Sequence, residues 1–362
     1  MKPFDILILL LIVVVFTMIV YRIIEKQYKS GYYSKSIFEG LVGNSITSLS
    51  TTAQAVPLSQ MCIYASYNSA FDGTIISNEQ LLKIIGMGCR FLDFELFLKD
   101  EIVYVNYSLD STNTTFENGN ANTVTFNSLL NTISTSAFTS TSKNGKSCPN
   151  PNDPLFIHLR IKKTENDKEN KIYKRTAEVL KNYTSLTYGS TNNNEYRAYK
   201  VDGNIKISNI AKSMIVVVDQ SVDSNYNENA KDLWNYVNVA SGGSTWQSYV
   251  YSELFKQKSD FPKINDDGKT TNVNKLKMVL PDPIINVGNP KYPFDYIVKY
   301  GCQTIFYPFY NSTPPMNADS IQLYNNLFSN VAFVTLASAI SYAKQNIQSD
   351  GNVSYGGSFA SK

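Results

Sequence analysis

From residue 57 onward, short apolar runs alternate with stretches whose apolar positions recur at helical spacing. The runs that predict strands are MCIYA (61–65), FLDFELF (91–97), IVYVN (102–106), PLFIHLRI (154–161), MIVVVD (214–219), KMVLPD (277–282), TIFYPF (304–309) and AFVTLA (332–337). Between them, 78–87, 126–136, 168–181, 231–239, 294–300, 321–329 and 338–345 read as amphipathic helices. Eight strand candidates in β/α alternation predict an α/β fold, a (β/α)8 barrel. A doubly wound sheet fits less well, because no glycine-rich phosphate turn follows the first run. Ser77 and Gln80 make a capping box ahead of the first helix, and Gly86 and Gly88 lie where it should stop. The first four barrel strands are expected at 61–65, 91–97, 102–105 and 155–161, with the polar insertions 110–122, 140–152 and 188–204 as surface loops.

Ahead of this region, residues 6–20 (ILILLLIVVVFTMIV) are apolar with only Thr17 to soften them. Phe4, Tyr21, Ile23 and Ile24 extend the run toward the ~20 residues that cross ~30 Å of hydrocarbon. A single-pass transmembrane helix over 1–24 is expected. A cleaved signal peptide fits poorly, since only Lys2 precedes the run and the one A-x-A, Ala53-Gln54-Ala55, lies far downstream. Arg22, Lys26, Lys29 and Lys35 follow the run, which places the rest of the chain on the cytoplasmic side of the membrane. The organisation expected is an anchor (1–24), a polar linker or stalk (25–56), the barrel (57–345) and a flexible tail (346–362).

Composition narrows the chemistry. The 362 residues carry 43% hydrophobic content and a net charge of +3, enough for a large core and without the basic stripes of nucleic-acid binders. His158 is the one histidine, so a two-histidine metal site or acid/base pair is closed. Cys62, Cys89, Cys148 and Cys302 show no CxxC spacing, and those in apolar runs read as buried thiols. The sequons at Asn106, Asn113, Asn182, Asn311 and Asn352 do not establish secretion in a chain so rich in Asn, Ser and Thr.

The segment MCIYASYNSAFDG, followed by ISNEQLLKIIGMGCRFLDFELFLKDEIVYVNYS, resembles the X domain of phosphatidylinositol-specific phospholipase C. In that family a first strand ends in Ser-His-Asn, a helix leads into a Gly-x-Arg-x-Leu-acid-x-acid strand, and a third strand ends near a second histidine. DPLFIHLRIK resembles the family's strand that ends in an acidic ligand. The likeness covers about residues 60–162, and the look resembles anchored proteins of large DNA viruses. It implies a barrel, a phosphodiesterase reaction with one histidine as base and another as acid, and calcium or an arginine at the phosphate.

This chain departs from that pattern at the reacting groups. The histidine positions are Tyr67 and Tyr107, and a phenol with a pKa of about 10 is a poor proton acceptor near neutral pH. Of the implied metal ligands Asn68 is kept, the acid pair stands in swapped form as Asp93 and Glu95, and the last carboxylate is replaced by Arg160. Side chains two apart on a strand share a face, so Asp93 and Glu95 should point into the barrel with His158 and Arg160 beside them. An arginine there supplies a planar donor fork and cancels the negative charge that would attract a cation. The expected result is a metal-free ion-pair cluster with Arg160, or with Arg90, and no catalytic residue. Asn106, Asp219 and Asp282, at ends of predicted strands, complete the candidate pocket; the acids could equally cap loops. His158 lies mid-strand and reads as a satisfied buried histidine, and 300–310 as a mostly buried strand.

The function this favours is a membrane-anchored, phospholipase-C-like module without efficient catalysis, binding a phosphoinositide headgroup or a protein, with a virion membrane as one location. It needs no cofactor. The alternative is an active phosphodiesterase binding Ca2+ through Asn68, Asp93 and Glu95. A third reading is a glycan- or receptor-binding ectodomain with reversed topology and occupied sequons.

Overall fold

The computed structural model describes residues 17–18, 46–107, 124–140, 148–164, 167–258, 261–271, 275–282, 293–310 and 318–347. Eight strands form a nearly closed, parallel barrel: β1 (Met61–Ser66), β2 (Phe91–Lys99), β3 (Leu155–Ile161), β4 (Met214–Asp219), β5 (Val239–Ser241), β6 (Trp246–Val250), β7 (Leu276–Leu280) and β8 (Thr304–Tyr307). Parallel ladders join each neighbour from β6 through β7, β8, β1, β2, β3 and β4 to β5. No ladder is formed between β5 and β6. All residues of β1, β3 and β4 are buried, as expected where one strand face meets the interior and the other meets helices. Toward the N-terminal ends of the strands the interior is filled by Phe91, Phe156, Trp246 and Phe306, with Phe91 lying 4.8–5.7 Å from the other three ring centres. This end is the floor; the C-terminal ends form the mouth.

Two of the expected strands lie outside the barrel. Ile102–Asn106 pairs antiparallel with β2, from Lys99 opposite Ile102 to Glu95 opposite Asn106. The connection is Asp100-Glu101, with φ of 50° and 62°, the double left-handed pattern of a two-residue hairpin turn. A loop of that length cannot return a chain to a parallel strand. Phe333–Thr335 likewise adds antiparallel to β1. Their places are taken by β5 and β6, short strands with polar residues where the sequence predicts a helix ending at 239 and no element at 246–250. The helix expected over 231–239 is a 3-10 turn at Lys231–Tyr236 that gives way to β5. The presumed loop 188–204 contains a hairpin of Gly189–Asn192 with Glu195–Ala198.

The first long helix, Asn78–Gly86, starts as its sequence dictates: Ser77 Oγ accepts from the Gln80 amide at 3.1 Å, and Gly88 takes φ +86° beyond its end. Only half of the capping box forms, because the Ser77 amide donates to Ala70 O instead.

Residues 46–60 run across the floor, where a linker was expected to continue to 56. Ile46 and Leu49 are buried, the Leu49 amide donates to Asp153 Oδ1, and Leu58 and Ser59 donate to the carbonyls of Ile205 and Gly203. Ile46 methyls lie where a side chain on Gly88 would stand, so the strap and that glycine are fitted to each other. Among the described residues no helix is long and apolar enough to cross a membrane. The expected span 1–24, apart from residues 17 and 18, and the loop 110–122 lie outside the described residues, as does the tail beyond 347.

Candidate functional site

β2 and β3 lie side by side with Asp93 opposite His158 and Glu95 opposite Arg160. Strand alternation sends all four side chains to the interior near the mouth, and all four are buried. Arg160 is the hub. Its Nε donates to Asp93 Oδ1 (3.0 Å), Nη2 to Asp93 Oδ2 (2.6 Å) and to Asn68 Oδ1 (2.7 Å), and Nη1 to Glu95 Oε1 (2.6 Å). The guanidinium also lies over the Tyr67 ring, 4.4 Å from its centre. A planar fork that reaches one carboxylate through two nitrogens and a second through another is geometry that lysine cannot supply.

The loop after β1 is shaped to this cluster. Asn68 has a left-handed φ of 43°, which turns its amide to donate to Asp93 Oδ2 at 3.1 Å while its side chain accepts from Arg160. Ser69 ties the same loop to the β2 backbone, accepting from the Asp93 amide and donating its own amide to Asp93 O. His158 Nδ1 donates to Asp93 Oδ1 at 2.8 Å, its Nε2 lies 3.1 Å from Ser241 Oγ, and its ring stacks on Phe306. Lys162 Nζ stands 3.7 Å from Glu95 Oε2.

Electrostatics follow from these contacts. Burial alone would raise Asp93; the Arg160 charge and the His158 hydrogen bond outweigh it and hold the carboxyl at about 2. Burial would lower Arg160, but Asp93 and Glu95 carry it well above its ordinary value. Burial pushes the Tyr67 phenol well above its usual range, a rise that Arg160 only partly opposes, and burial raises Tyr310 too. Lys162 is lowered by burial, against the pull of Glu95.

The remaining candidates separate. Asn106 is buried and opposite Glu95 in the hairpin ladder, hence on the same side of the sheet, and its Nδ2 makes no hydrogen bond. Tyr107 is half-buried and packs on Phe71, with ring centres 4.5 Å apart. Asp219, at the end of β4, accepts from the amide and hydroxyl of Ser221, and Asp282 accepts from Ser252, so both acids cap mouth loops. Arg90 does not join the acids: it is buried toward the floor and donates to Ala137 O, Asn150 O and Cys148 Sγ. The four cysteines are free and buried. Lys162, Ser69 and Ser241 escaped sequence reasoning. Lys162 shares the parity of Arg160 and could have been found; Ser241 lies on a strand the sequence does not announce.

Calcium does not fit these residues. It takes 6–8 oxygen ligands at about 2.3–2.6 Å, whereas both Asp93 oxygens, Glu95 Oε1 and Asn68 Oδ1 accept from Arg160. The guanidinium would have to leave before a cation could enter. Among the described residues no group of three or more His, Cys, Asp or Glu side chains could hold a metal ion.

No family profile and no curated protein matches the sequence. Solved structures do. L. pealei PLC21 aligns with a TM-score of 0.52 at 13% identity over 79% of this chain and 37% of that one. S. officinalis PLC21 aligns at 0.53 and 13% over 78% and 37%, so this chain spans little more than a third of the length of either protein. The phosphatidylinositol-specific phospholipase C of Listeria monocytogenes aligns at 0.42 and 11% over 81% of this chain and 95% of that one. At such identities the likeness concerns architecture: the chain carries a phospholipase-C-like TIM barrel.

Proposed function

We propose that this is a membrane-anchored, phospholipase-C-like barrel retired from catalysis, serving as a binding or structural module on the cytoplasmic face of a membrane, with a virion membrane as one setting. The observation that carries the reading is the Arg160 guanidinium seated among Asp93, Glu95 and Asn68, where its donors take up the oxygens a cation would need. Tyr67 reinforces it. Burial raises the pKa of the Tyr67 phenol, so the phenolate that could accept a proton is rarer near neutral pH than for an exposed tyrosine. A general acid or base contributes roughly 10²–10⁴ in rate, so loss of both leaves little turnover even with substrate bound. Partners consistent with the reading are a phosphoinositide headgroup or a protein; nucleic acid is not among them.

With phosphatidylinositol vesicles as substrate, the full chain should release inositol phosphate at the rate of a protein-free blank, with or without added calcium. Calcium-dependent release above the blank would overturn the reading in favour of an active phosphodiesterase.

The anchor rests on the apolar run 6–20 and the positive charges that follow it. Membranes from cells expressing the full chain should retain it through alkaline carbonate extraction, and a chain starting at residue 46 should remain in the supernatant. Carbonate release of the full chain would refute the anchor.

A further inference from the structure

We infer that the floor of the barrel, and not its mouth, is the surface that rests against the lipid bilayer holding the N-terminal run, leaving the mouth open to water. This builds on the anchor proposed above. The first described residues after that run, the strap 46–60, join the fold at the floor: Thr47 donates to Asn330 O, Leu49 to Asp153, Leu58 to Ile205 O and Ser59 to Gly203 O. Asp153 immediately precedes β3, Gly203 lies beside Leu276 at the start of β7, and Ile46 packs on Gly88 just ahead of β2, all at the N-terminal ends of barrel strands. The described chain therefore joins the barrel on the side opposite Arg160.

The floor also carries an apolar element exposed to solvent. Residues 261–271 double back on themselves, with Ile264 bridged to Thr270, and Gln60 pins them to the end of the strap: its Oε1 accepts from the Thr270 amide and hydroxyl, and its Nε2 donates to Thr270 O. On this excursion Phe261 is 44% and Ile264 40% exposed. The excursion also carries Lys263, Asp266 and a Lys269–Asp267 ion pair of 3.0 Å, and Lys206, bridged to Pro57 of the strap, is exposed on the same end. Two bulky apolar side chains exposed on one short excursion suit a lipid surface, where an interfacial element buries its apolar atoms ~5–10 Å deep. The mouth offers a poorer fit. Its exposed Ile102 is a single side chain beside a hairpin turn whose Glu101 is tied to Lys171 and Arg175, and Phe255 already packs against Tyr296 and Tyr300.

If the floor faces the bilayer, whatever enters the mouth arrives from the aqueous side, so a phosphoinositide headgroup would reach it as the free soluble inositol phosphate and not on a lipid of the membrane that holds the chain. The four native cysteines are buried, so an introduced cysteine can be labelled selectively. The full chain, with a fluorophore at Ile264→Cys on the floor or Glu253→Cys at the mouth, is reconstituted into phosphatidylcholine–phosphatidylserine vesicles containing a nitroxide-labelled lipid. The floor label should lose most of its fluorescence to the quencher and the mouth label almost none. Adding Phe261→Ser should weaken floor quenching while the chain still resists carbonate. Quenching at the mouth alone, or at neither label in a carbonate-resistant chain, overturns the inference and leaves the anchor standing. Carbonate release removes the anchor and this inference together.

Discussion

Arg160→Leu should destabilise the barrel by about 3–5 kcal/mol, because it strands two buried carboxylates, Asp93 and Glu95, without the guanidinium that neutralises them. In thermal unfolding the midpoint should fall by roughly 6–15 °C. Adding Asp93→Asn and Glu95→Gln to Arg160→Leu should recover part of the loss, since the uncompensated charge is then gone. The same cluster sets an acid limit. Asp93 ordinarily titrates at 3.8 and is held at about 2 in the fold. A depressed carboxyl contributes stability that is fully present above its unfolded pKa and is lost as pH falls through the folded one. The contribution is roughly 2–3 kcal/mol, lost between about pH 4 and 2. Asp93→Asn should flatten that segment of the stability curve. An Arg160→Leu barrel within about 1 kcal/mol of the parent by denaturant titration would show that the cluster does not hold the mouth as described.

The second expected result concerns what it takes to reverse the chemistry. Tyr67→His with Tyr107→His should leave phosphatidylinositol turnover near background, because Arg160 still fills the space among the acids and Tyr107 lies off the guanidinium cluster, packed on Phe71. Adding Arg160→Glu brings a third carboxylate beside Asp93, Glu95 and the Asn68 carbonyl, an oxygen-rich set of the kind calcium takes. That variant should gain calcium binding by calorimetry, and its melting temperature should rise with added calcium. Hydrolysis should appear only in the variant carrying all three changes. If the two histidines alone restored turnover by 10²-fold or more, Arg160 would have to be read as supporting catalysis instead of replacing a cation.

Much of this site is visible along single strands. Period-two alternation puts Asp93 and Glu95 on one face of β2, and His158 and Arg160 on one face of β3, whatever the rest of the chain does. Ser77 starts its helix because a short hydroxyl side chain can reach the amide of Gln80, a contact local to four residues. The swap between elements was less legible. IVYVN has the composition of a barrel strand, and the signal against that reading was the two-residue gap Asp100-Glu101, too short for a parallel return. β5 and β6 are short, and Ser241, Gln247 and Ser248 break the apolar runs that mark the other barrel strands; they extend along the edges that the neighbouring strands β4 and β7 offer them.

Strand and helix periods, the helix cap, the residue types at 67, 68, 93, 95, 107 and 160, and the absence of a second histidine are properties of neighbours in the chain, so they could be read without coordinates. Tertiary structure alone chose which strands are adjacent. That choice put Arg160 against Asp93 while leaving Arg90 toward the floor with carbonyls and a thiol, brought Ser241 to His158, and folded the strap 46–60 under the barrel. The physical reason is that alternation is set by backbone geometry within a few residues, whereas adjacency is set by closing a sheet around one interior. A charged side chain finds its partner through pairings between residues tens of positions apart, and burial then forces each charge to be matched by whatever that closure brings near.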